Sequence, residues 1–162
     1  MRKRQKGFSL IELLIVVAII LIIAAIAIPN LLRSRMAANE ASAVGSLRTI
    51  NTAEVTYSTT YPSLGFASLA SLGGSAATCA TATGATSTGS CLIDDVLAST
   101  AVKSGYAFTA AVGGGSPAVT YAAKALPSVV GQSGQRAFCS DQSGVIRYNA
   151  GCTACSNTDS PL

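Results

Sequence analysis

Residues 7–29 read GFSLIELLIVVAIILIIAAIAIP, an apolar run interrupted by a single carboxylate, Glu12. Phe8 to Ile28 spans 21 residues, enough helix to cross a bilayer core of about 30 Å. An acidic side chain at the centre of a membrane helix costs roughly 2.5 to 3.5 kcal/mol on the insertion scale. Glu12 therefore calls for a partner that neutralises it. An amine at Phe8 would serve, and a cut after Gly7 would create one. Arg2, Lys3, Arg4 and Lys6 precede the run and hold that end in the cytoplasm by the positive-inside rule, while Gly7 offers a protease a residue without a side chain. Phe8 and Glu12 lie one helical turn apart, so the carboxylate can pair with its own chain's amine or with that of an identical neighbour.

The stretch from Gly7 to Pro29 resembles, nearly residue for residue, the N-terminal signature of type IV pilins and their pseudopilin relatives. The resemblance implies cleavage between Gly7 and Phe8 by a prepilin peptidase, which also N-methylates Phe8. It implies that Glu12 meets the N-terminal amine of an adjacent subunit during assembly, and that Pro29 kinks the helix. Leu21 stands where the family commonly has a glycine. The implied partners are further copies in a helical filament, the prepilin peptidase, and an inner-membrane assembly platform with an ATPase motor. The implied location is the inner membrane, single-pass, for the precursor and then a pilus on the cell surface. A major pseudopilin of a type II secretion system, in the periplasm, is the alternative within the family.

Two plainer readings compete. The segment is long enough to be a simple anchor, against which Glu12 argues. Ala25-Ile26-Ala27 also matches a signal-peptide cleavage site, giving a secreted binding module cut after Ala27; yet standard h-regions run roughly 7 to 15 residues, shorter than this one.

At 162 residues the length suits a single domain behind the apolar segment. Four of the eleven Lys and Arg lie in the leader, leaving seven against seven Asp and Glu. Such a balance offers no clustered basic face for nucleic acid.

Beyond Pro29, Ala37, Ala41, Val44, Leu47, Ile50, Ala53, Tyr57 and Tyr61 recur at steps of three and four, an apolar stripe with Arg48, Asn51 and Glu54 beside it. Pro62 provides a stop. The expected helix covers 8–61, roughly 80 Å at 1.5 Å per residue, with 8–28 as membrane or filament core and 29–61 as an amphipathic half. Residues 62–103 read as a Ser/Thr/Ala-rich connecting region with an exposed loop at its centre. Residues 104–162 read as four short strands. Tyr106, Phe108, Ala110 and Val112 alternate with small or polar residues, as do Val119, Tyr121 and Ala123, and RAFCS and VIRYN flank the turn sequence Asp141-Gln142-Ser143-Gly144. The fold class is thus α+β, a long N-terminal helix packed on a small antiparallel sheet.

Beyond the membrane the compartment is oxidising and disulfides are the default. Cys79 with Cys91 is the local pair, and Cys139 with either Cys152 or Cys155 would staple the tail to a strand. One of the five cysteines is left over. Cys152-Thr153-Ala154-Cys155 lacks the βαβ context of a redox dithiol and the four ligands of a zinc site. Asp94, Asp95 and Asp141 are too few for the six to eight oxygens of calcium, so neither metal nor cofactor is expected. The chain has no histidine and no G-x-S-x-G elbow, which argues against catalysis. A structural subunit, not an enzyme, is the expectation.

Overall fold

The structure is a computed structural model that describes residues 8–75, 79–80, 85–151 and 155–162. Gly7, with the rest of the basic leader, and Cys152 lie outside the described residues. The chain divides between Arg35 and Met36 into two compact units.

Helix α1 runs from Leu10 to Thr60. In the first unit nearly every side chain it carries is exposed, from Leu10 through Leu32, with no polar face to set against an apolar one. A helix apolar all round needs an apolar surrounding. The helix continues through Pro29, which has no N–H and so leaves the carbonyl of Ala25 without its intrahelical donor.

In the second unit the same helix buries one face. Ala43, Leu47, Ile50, Ala53 and Tyr57 lie in the core, and each large side chain among them contributes about 1.5 to 3 kcal/mol by leaving water. Ala37 and Ala41, expected to begin the stripe, are exposed; the buried face starts with Glu40 and Ala43. Alanine periodicity marks a face without saying whether anything covers it. Glu54, expected beside the stripe, is fully buried.

Among the described residues the sheet has six antiparallel strands in chain order: β1 (Val102–Lys103), β2 (Tyr106–Gly113), β3 (Thr120–Pro127), β4 (Ala137–Asp141), β5 (Arg147–Asn149) and β6 (Ser160–Pro161). The four expected strands are β2 to β5. The two additional ones pair over two residues each, too short to show alternation. Register places Phe108 opposite Ala125 and Ala125 opposite Phe138, and these side chains pack with Tyr106, Tyr121 and Ala123 against the buried face of α1. The completely buried Ala123 and Ala125 keep the sheet close to the helix.

Residues 62–103 are more than a connection. They form α2 (Leu69–Leu72) and a π turn (Val96–Thr100) and send Ala67, Leu69, Leu72, Ile93 and Leu97 into the core. The flanks of the hydroxyl-rich centre thus carry the apolar burial of this region among the described residues. The Ser90 hydroxyl donates to the carbonyls of Ser71 and Leu72 at 2.9 and 3.0 Å. Gly65, at φ +80°, lets the chain turn back directly after the helix, where a Cβ would collide with the Ala118 carbonyl oxygen.

Candidate functional site

The start of α1 is built by Ser9 and Glu12. Glu12 Oε2 accepts the Ser9 backbone N–H at 3.0 Å, while the Ser9 carbonyl accepts from Leu13 N–H at 3.3 Å. The acid reaching back from the third helical position is half of a capping box, for which Ser9-x-x-Glu12 is the sequence signal; Ser9 is thus a site residue that the apolar pattern alone does not reveal. The negative charge also sits favourably at the positive end of the helix dipole. Glu12 Oε1 has no partner among the described residues. Phe8, 75% exposed, directly precedes Ser9, so an amine on Phe8 would be the next backbone nitrogen after the one Glu12 already holds. The surroundings are strongly apolar: from Leu10 to Ile28, Glu12 is the one charged side chain, and the apolar side chains around it are exposed.

The second unit carries its own carboxylates. Glu40 accepts from Arg136 Nε at 2.8 Å and from Gln135 N–H at 2.9 Å, with Arg136 Nη2 at 2.7 Å. The guanidinium lies over the Phe138 and Tyr148 rings at 5.4 and 5.6 Å, tying helix to sheet. Glu54 Oε2 accepts the Ala67 N–H at 2.9 Å, whereas Oε1 is buried with no partner among the described residues. Burial pushes the Glu54 carboxyl up to about 7, with the Ala67 amide pulling the other way. Burial, then the Glu54 and Asp141 charges, push the Tyr121 phenol up to about 12; its hydroxyl donates to Asn51 Oδ1 at 3.1 Å.

Cys79 is bonded to Cys91 and Cys139 to Cys155, with Cα atoms 5.7 and 5.6 Å apart. Of the two partners open to Cys139, the structure uses Cys155. Cys139, Cys155 and Asp159 bring potential ligand atoms within 4.8 Å of one another, but the two sulfurs are bonded to each other and neither is a free thiolate. Of the acids considered for calcium, Asp94 pairs with Lys103 at 2.7 Å and Asp141 Oδ1 accepts the Ser143 N–H at 2.9 Å.

Residues 2–28 match the family described as the prokaryotic N-terminal methylation motif. The chain is 63% identical over 38 residues to the type IV wide pilus major component of Thermus thermophilus, covering 24% of this chain and 29% of that protein. It is 46% identical over 54 residues to the type IV major pilin protein of Myxococcus xanthus, covering 33% of this chain and 24% of that protein. The chain thus spans less than a third of the length of these curated relatives. No solved structure matches it. The methylation motif and the two relatives thus make the N-terminal part of this chain similar to that of type IV pilins, ahead of a helix-and-sheet fold.

Proposed function

We propose that this chain is the structural subunit of a type IV pilus-like filament, made as a single-pass inner-membrane precursor. It is cut between Gly7 and Phe8, N-methylated at Phe8 and polymerised through its N-terminal helix. The observation that carries the reading is the exposed apolar segment with one carboxylate in its first turn. Lipid covers that segment in the precursor, and neighbouring helices cover it in the filament. Lipid tails are as apolar as leucine, so the exchange provides little hydrophobic driving force. The carboxylate supplies what the apolar contacts lack. Left unpaired in hydrocarbon it is costly; beside the Phe8 amine of another copy it is neutralised, and that contact sets the axial register. Because the amine and the acid belong to different copies, the contact is head-to-tail and repeats into an open helical array.

Leader removal has two effects in this scheme. It creates the amine, and it removes the four cations that hold the precursor's end in the cytoplasm. The partners are further copies of the chain, a prepilin peptidase, and an inner-membrane platform with an ATPase motor. The filament is then displayed on the cell surface. Glu12→Ala tests the pairing: chains should still begin at Phe8, while filaments sheared from cells fall at least about tenfold, the factor expected from losing more than 1.4 kcal/mol per contact. Wild-type filament yield from that variant would contradict it.

A further inference from the structure

The outer face of the sheet holds an open groove of about 470 Å³, and strand register explains its shape. Thr109, Lys124, Cys139 and Arg147 stand opposite one another across β2 to β5. The next row of the same face is Ala111, Ala122 and Asp141. The two alanines leave a depression, with Lys124 and Arg147 along one side and Ser156 and Asn157 of the stapled tail among its walls. Lys124 and Arg147 are two strands apart, so their Cα atoms lie about 10 Å from each other.

The groove is cationic on balance. Asp141 is held within its own turn by Ser143, and hydrogen bonding from Ser143 keeps its carboxyl below the usual range. Arg147 Nη1 donates to the Asp159 carbonyl at 3.1 Å. Lys124 has no hydrogen bond or ion pair among the described residues, which leaves its charge for an external acid.

The acids of the second unit show where that charge can come from. Glu40 and Glu54 are buried. Asp159 accepts from Ser156 and Asn149 at 2.7 and 3.1 Å, and Asp94 is paired with Lys103. Asp95 is exposed, and its carboxylate has no partner among the described residues. It stands at the N-terminal end of the π turn Val96–Thr100, which packs on α2 and β1, whereas the groove lies over β2 to β5. One subunit therefore carries a free acid beside the β1 edge and a free cation across the sheet from it. Complementary patches at different places on one molecule make a heterologous contact, the kind that propagates.

We propose that the Asp95 turn of one copy seats in the Lys124 and Arg147 groove of a neighbouring copy, a contact between heads additional to the helix packing. The inference rests on the filament reading. The test is carbodiimide cross-linking of sheared filaments, which joins a carboxylate to an amine in contact with it. The expected product is an amide between Asp95 and Lys124 of separate copies, located by mass spectrometry in a band of twice the subunit mass. Lys124→Arg should keep the filaments and lose the cross-link, since the charge remains and the amine does not. Lys124→Glu should lower filament yield about two- to fivefold, the range of an exposed charge pair, and adding Asp95→Lys should restore it. Filaments that give no Asp95 to Lys124 amide and are indifferent to Lys124→Glu overturn the head contact and leave the filament standing. Absence of filaments from the wild-type chain overturns the filament reading itself.

Discussion

Residues 10–32 and residues 40–57 belong to one helix, yet they treat apolar side chains and carboxylates in opposite ways. In the first stretch Leu10, Ile20 and Ile26 are exposed at 75, 58 and 64%, and the one acid, Glu12, is exposed and accepts a backbone N–H from its own turn. In the second stretch Leu47 and Ile50 are fully buried, and Glu54 lies inside the core with one oxygen bonded and the other orphaned. In the proposed filament the first stretch keeps its interactions for other copies, while the second uses its own to hold the head together. A substitution should accordingly move assembly in the one and stability in the other.

The sharpest break in that division would come from Ile50→Ala. Removing a fully buried side chain costs about 2 to 5 kcal/mol, so the detergent-solubilised chain should melt at clearly lower temperature by circular dichroism. An unchanged melting temperature would mean that α1 is not packed on the sheet. Next in size, replacing Cys139 and Cys155 together by serine opens a loop with a separation of 16 residues, worth about 3 kcal/mol on the chain-entropy model. Denaturant melts of the two forms measure the difference.

Glu54 makes the stability of the second stretch depend on pH. Its carboxyl lies at about 7 in the folded chain against 4.5 unfolded, so the folded state holds its proton more tightly. The stability it contributes is complete below pH of about 4.5 and is lost as pH rises to about 7, by up to about 3 kcal/mol at 1.36 kcal/mol per unit. Glu54→Gln should flatten this slope and leave the chain more stable than wild type at pH 8. An identical pH profile in the variant would show that Glu54 is not the group responsible. Gly45→Ala should raise stability in the same denaturant melts by up to about 1 kcal/mol, since a Cβ there meets nothing within 4 Å. Smallest of all, Ile20→Ala should leave head stability in those melts unchanged within about 0.5 kcal/mol.

Much of this is legible in the chain. The apolar run with Glu12, the stop at Pro62 and the alternation in β2 and β3 each rest on local patterns, and local patterns survive into the fold. Glu54 looks like a flanking residue in the sequence because the group that receives it, the Ala67 N–H, lies in the turn beyond the helix. Ala37 and Ala41 mislead for a related reason: a small side chain carries periodicity but too little apolar area to fix which face is covered. Leu72 and Leu97 sit in a Gly- and Ser-rich setting whose composition suggests a loop, yet contacts with distant elements bury both. The half capping box of Ser9 and Glu12 is a local signal too, hidden in the sequence by the apolar run around it.

The measurement that bears most directly on the filament reading is N-terminal and intact mass spectrometry of protein sheared from cells that express the chain at its native level. The expected result is an abundant sheared species beginning at N-methylated Phe8. A chain beginning at Ile28, or a Phe8 species absent from the sheared fraction, would contradict it.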